Sequence, residues 1–117
     1  MSDDRTASQG DDSHDDDLHV KAEQDRTGTT IILEGDFDLS GIERFWAVFS
    51  EALAASPRSV TLNARGLTFI DSSGLRALLQ ARAAATDAGA AFGVSEPSLA
   101  LRRLAELTAL EDLLEDE

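Results

Sequence analysis

Two hydroxyls and a carboxylate stand together in Phe69-Ile70-Asp71-Ser72-Ser73-Gly74-Leu75, and their chemistry depends on what flanks them. Behind them, Leu75, Leu78 and Leu79 recur at i, i+3 and i+4, the spacing of a helix with one buried side. In front, Leu67, Phe69 and Ile70 read as a short buried extended segment. The polar residues therefore fall at or near a helix N-cap, where side-chain oxygens accept from backbone N–H groups that lack a helical partner. A phosphate on one of these serines would meet the same donors and the positive end of the helix dipole. Local chemistry leaves two readings open, an ordinary cap and a phosphoacceptor.

Asp36, Asp38 and Asp71 could converge with Ser72, so enzymatic readings have to be weighed. A serine hydrolase needs a base beside its nucleophile. The chain holds two histidines, His14 and His19, and one lysine, Lys21, all near its start, and it lacks G-x-S-x-G. A carboxylate pair working as acid and base lacks a second signal such as an aromatic-lined cleft. Acids clustered at strand ends can hold magnesium in a phosphoryl-receiving domain. Such domains also use a lysine on a late strand, and Lys21 is far too early. Glycine-rich phosphate loops are missing. With no cysteine, disulfide, zinc-finger and thiol chemistry are excluded. His14 and His19 beside loose aspartates would make only a weak, solvated metal cluster. No catalytic residue, metal or cofactor is assigned. The chain reads as a protein acted upon by an enzyme.

Charge narrows the partners. Of a net −13, residues 1–17 contribute seven aspartates and one arginine, and residues 111–117 contribute five acids and no base. The stretch 18–110 holds eleven acids against nine bases, so the body is nearly neutral and the acidity lives in the ends. Nucleic-acid binding is disfavoured, because phosphate contacts require a basic patch. Residues 1–17 carry almost no apolar side chains and are expected to form a disordered acidic tail. No apolar run approaches the length of a membrane span and the start is acidic rather than a secretory signal, so no membrane insertion and a cytoplasmic location are expected.

The elements that must position these residues follow from periodicity. Leu18 to Glu23 alternates as a first edge strand, and Asp25 to Gly28 supplies hairpin turn chemistry before a stronger strand from Thr29 to Leu33, closed by Gly35. Ser40 is expected to cap a helix with Ile42, Phe45, Phe49 and Leu53 on one stripe and Trp46 at its half-buried rim. Pro57 breaks that helix, and Ser59 to Asn63 gives the next strand. The helix after Asp71-Ser72-Ser73-Gly74 runs to about Asp87, stopped by Gly89. Ala90 to Ser95 is a short strand, and Ser98 to Leu107 a last helix with Leu101, Leu104 and Ala105 inward. Leu113-Leu114 reads as a final short strand. The order β-β-α-β-α-β-α implies an α/β domain, a mixed sheet of about four to five strands covered by amphipathic helices.

Taken together these segments resemble the STAS-domain anti-sigma factor antagonists, over roughly residues 18–114, with 115–117 left as an acidic end. Ile31-Ile32-Leu33-Glu34-Gly35-Asp36-Phe37-Asp38 is similar to the family's second strand with its G-x-x-D ending. Val60-Thr61-Leu62-Asn63 is similar to its central strand, and Pro97 through Leu107 with Thr108-Ala109-Leu110 to its C-terminal helix and turn. Phe69 to Leu75 is similar to its phosphorylation motif. The resemblance implies a single STAS-like domain without enzyme activity or cofactor, with Ser72 as the phosphorylated residue. It implies binding to an anti-sigma factor serine/threonine kinase, release of a sigma factor, and resetting by a PP2C-type phosphatase. Asp38, Asp71, Ser73, Gly74 and Arg76 become partner-binding candidates, with Arg82 on the outer part of the same helix. Asp38 is equally suited to capping the helix that follows it. STAS domains also serve stress-signalling complexes and the small subunits of lipid-transport ABC systems. In the latter, the same surface holds an ATPase without a switch.

Overall fold

Asp25, Arg26, Thr27 and Gly28 turn the chain back on itself at the start of the fold. In the computed structural model of the protein, which describes residues 17–110, β1 (His19–Asp25) and β2 (Gly28–Phe37) pair antiparallel from His19 opposite Glu34 to Asp25 opposite Gly28. The Asp25 Oδ1 accepts from the Thr27 hydroxyl at 2.6 Å, the Thr27 N–H at 2.8 Å and the Gly28 N–H at 3.1 Å. These bonds, the Thr27 hydroxyl foremost, favour the charged carboxylate and hold its pKa below the usual value.

β3 (Ser59–Ile70) lies parallel to β2, and β4 (Ala91–Ser95) lies parallel to β3, giving the sheet order β1-β2-β3-β4. Parallel neighbours need a helical crossover. These are α1 (Ile42–Ala54), entered through a 3-10 turn at Leu39–Gly41, and α2 (Ser72–Asp87); α3 (Leu99–Leu107) follows β4. The α1 helix packs on β1 and on α2, α2 on β3 and β4, and α3 on β3. The fold is thus a single α/β domain with a four-stranded mixed sheet, in the expected element order.

Alternate residues of each strand fill the core: Ile31, Leu33 and Phe37 from β2, Val60, Leu62 and Ala64 from β3, and Phe92 and Val94 from β4. From α1 come Phe45, Phe49 and Ala52, with Ile42, Trp46 and Leu53 partly buried, which places Trp46 at the rim as its position in the stripe predicts. Phe45 stacks on Phe49 at 5.3 Å, and Phe37 and Trp46 lean on Phe45 at 5.1 and 5.2 Å. α2 contributes Leu75, Ala77, Leu78, Ala81 and Ala85.

Three expectations are corrected. The strand ending near Leu33 continues to Phe37, so Gly35 lies within β2 at a left-handed φ of 95° rather than closing it. The segments 59–63 and 67–70 are one strand of 12 residues. They read as two because β3 carries extra residues at two places: Ile32 pairs with Asn63 but Glu34 with Gly66, and Gly35 pairs with Leu67 but Asp36 with Phe69. Each insertion flips the alternation. The buried set moves from Val60, Leu62 and Ala64 to Leu67 and then Ile70. Phe69 therefore faces out, 47% exposed, and not into the core. The tail to residue 16, His14, the Leu113-Leu114 strand and the acidic end at 115–117 lie outside the described residues.

Candidate functional site

The two central strands end together. Phe37 and Ile70 are register partners in a parallel pair, so Asp38 and Asp71 leave the sheet side by side from strands about 4.8 Å apart. The Asp71 N–H donates to the Phe37 carbonyl at 3.3 Å, which ties the two exits.

Each aspartate then starts a helical turn. Asp38 caps the 3-10 turn, its Oδ1 accepting from the Ser40 N–H at 3.1 Å and from the Ser40 hydroxyl at 2.6 Å. Ser40, expected as the cap of α1, is thus a donor to Asp38. α1 itself begins after Gly41 with no side-chain cap. Asp71 caps α2, accepting from the Gly74 N–H at 3.0 Å. The cap of the motif is therefore its carboxylate. Ser72 is the first residue of α2 and is exposed, its hydroxyl free of the capping role.

Ser73 is half-buried and Gly74 buried. A Cβ on Gly74 would clash with the Phe37 carbonyl oxygen and lie 2.9 Å from Ile70 Cγ1 and 3.1 Å from Phe37 Cγ. The close approach that glycine permits is thus made by the protein's own β2, and Gly74 is removed from the surface offered to a partner. Arg76 is exposed one turn along. With Ser72, Ser73, Leu39, Ile42, Ala77 and Gln80 it borders a groove of about 400 Å³. Arg82, further along α2, is half-buried.

Asp36 stays on the sheet, where its Oδ1 accepts from the Thr68 hydroxyl at 3.0 Å. Its register partner is the exposed Phe69. Leu39, 74% exposed at the groove, and Phe69, exposed on β3, are the apolar exposures that periodicity missed. The signal for Leu39 was present: it follows a capping aspartate and precedes the helical stripe, so neither face claims it. Among the described residues no three His, Cys, Asp or Glu side chains gather into a metal-binding group, and no helix is long and apolar enough to cross a membrane.

The arrangement offers an exposed hydroxyl at a helix N-terminus, directly after the capping Asp71, on the wall of a mixed groove. No curated protein matches the sequence. Among solved structures, an anti-sigma factor antagonist from Mycobacterium paratuberculosis superposes with a TM-score of 0.74 at 21% identity, covering 85% of this chain and 84% of that one. The anti-sigma factor antagonist SpoIIAA in its unphosphorylated form gives 0.69 at 22% identity, over 85% and 88%. The phosphorylated Bacillus SpoIIAA gives 0.65 at 23%, over 85% and 91%. At these identities the likeness is one of fold. The sequence itself matches, over residues 20–115, the family model described as Mlab, STAS domain. The chain belongs to the STAS-domain family.

Proposed function

We propose that this protein is an anti-sigma factor antagonist, a partner switch set by phosphorylation of Ser72. Unphosphorylated, it binds an anti-sigma factor serine/threonine kinase in the cytoplasm and so frees a sigma factor. Phosphorylated, it lets go, and a PP2C-type phosphatase resets it. The observation that carries this reading is the exposure of Ser72 at the first position of α2, with the cap supplied by Asp71 instead. A kinase can reach the hydroxyl, and modifying it breaks no bond that holds the helix.

The physical logic separates fold from interface. A phosphoserine adds about −1.5 to −2 charges at neutral pH. At a helix N-terminus an anion is favoured by roughly 0.3–1 kcal/mol, so the fold tolerates the modification. A partner closing over Ser72 must strip water from that dianion, at a cost on the order of several kcal/mol. Asp38 and Asp71 flank the same strand ends and add like-charge repulsion against an acidic contact. Ser73 and Arg76 supply polar contacts to the partner, and Leu39 an apolar one.

A second reading, a constitutive STAS subunit seated on the ATPase of a lipid-transport ABC system, is favoured by the matching family model, whose description is Mlab. One experiment separates the two. The wild-type chain and Ser72→Asp are each incubated with the source organism's serine-kinase anti-sigma factors and with its ABC ATPases. Retention of a kinase by wild type only, with ATP placing one phosphate on Ser72 by peptide mapping, supports the switch. Full phosphorylation of Ser72→Ala refutes it. Retention of an ABC ATPase by both proteins assigns the second reading.

A further inference from the structure

Among the described residues, no strand pairs with the outer edge of β1. Six of its seven residues are exposed, and its sequence, His19-Val20-Lys21-Ala22-Glu23-Gln24-Asp25, mirrors its charges about Ala22. We propose that two copies of the chain pair antiparallel along this edge, Ala22 opposite the second copy's Ala22, joining two four-stranded sheets into one of eight.

The register follows from charge and backbone parity. Only alternate residues of an edge strand point their N–H and C=O groups outward, so two identical edges can pair only about a residue, not between residues. Centring on Ala22 sets Lys21 opposite the second copy's Glu23 and His19 opposite its Asp25, and symmetry repeats both pairs. Each neighbouring centre opposes like charges. Centring on Lys21 sets lysine against lysine. Centring on Glu23 sets glutamate against glutamate, centring on Val20 sets the basic His19 against Lys21, and centring on Gln24 sets Glu23 against Asp25.

Side chains at odd positions share one face of the strand, so the opposed charges come within about 4.5–5.5 Å at Cβ. Ala22, at the two-fold axis, is small enough for close approach. Within one copy, Lys21 and Glu23 bridge along the strand at 3.6 Å and are 72% and 57% exposed, so both are available for exchange across the axis. An edge lysine ordinarily guards against pairing. Here every lysine finds an acid opposite it. The contact is isologous and closed, which stops growth at the dimer. No residue of β1 borders the Ser72 groove, so both grooves stay open in the dimer.

Sedimentation equilibrium of the full chain over a concentration series tests this. The wild type is expected to dimerise reversibly. Lys21→Glu and Glu23→Lys each replace two attractive pairs with two repulsive ones, and each is expected to weaken self-association at least about tenfold, or about 1.4 kcal/mol. Mixed together, the two variants are expected to form a heterodimer, because one then carries only acids at positions 21 and 23 and the other only lysines. A wild type that stays monomeric throughout the series overturns the proposal. So do single variants that associate as the wild type does, or a mixture that gains nothing over its components. Circular dichroism of each variant separates lost pairing from lost folding.

Discussion

Gly74 to alanine tests whether the start of α2 is set by contact with β2 or by helix propensity alone. In an ordinary helix the change stabilises by up to about 1 kcal/mol, because glycine has the greater freedom to lose. Here the new methyl would overlap the Phe37 carbonyl oxygen and sit 2.9 Å from Ile70 Cγ1. The first obstacle is backbone, held by the Asp71 N–H on one side and by the sheet on the other, so it has no rotamer by which to yield. Overpacking of a fixed site costs about 1–3 kcal/mol. Taking the upper part of that range and subtracting the propensity gain leaves a net loss of roughly 1–2 kcal/mol. For a body of this size that corresponds to a fall in melting temperature of about 4–16 °C. The assay is thermal unfolding followed by circular dichroism, with Ser72→Ala as the control. That neighbouring exposed substitution is expected to stay within about 0.5 kcal/mol of wild type. A Gly74→Ala protein melting at or above the wild type would refute the packing argument.

Asp71→Ala should cost about 0.5–2 kcal/mol through loss of the cap, while Asp71→Asn, which still accepts from the Gly74 N–H, should recover most of it; denaturant unfolding distinguishes the two. Phe49→Ala removes a fully buried ring stacked on Phe45 and should cost about 3–5 kcal/mol, read from the urea midpoint. Asp25 has its folded pKa lowered by the Thr27 hydroxyl and N–H, so its contribution is complete above the unfolded carboxylate value and disappears as pH falls through the folded one. Protection of the Thr27 and Gly28 amides, taken as exchange relative to the intrinsic rate at each pH, should fall over that acid window in the wild type and show no such step in Asp25→Asn.

The helices and their order were legible because their signals are local. Leu75, Leu78 and Leu79 repeat at helical spacing, and Pro57 and Gly89 mark stops. The sheet was harder to read where it departs from period two. The two extra residues of β3 split one strand into two apparent ones and hid the outward turn of Phe69, since a bulge depends on the partner strand's register. At the site, the tripeptide Asp71-Ser72-Ser73 announced a helix start but not which member caps it. That depends on the extended backbone of Asp71, which aims its carboxylate at the Gly74 N–H. Gly74 was legible as a partner-binding candidate and not as a packing contact. Only the return of β2 beside it reveals that Phe37 is what approaches.

The aromatic stack gives the protein an internal light source. The chain holds one tryptophan and no tyrosine, so its emission reports the surroundings of a single indole. Trp46 lies edge-on to Phe45 and Phe49, Phe45 touches Phe37, and the Phe37 carbonyl receives the Asp71 N–H at the threshold of α2. One helical turn before Trp46 stands Ile42, on the wall of the Ser72 groove. Anything seated in that groove meets α1 one turn from the indole. Occupancy can then be followed by fluorescence titration in the unlabelled protein.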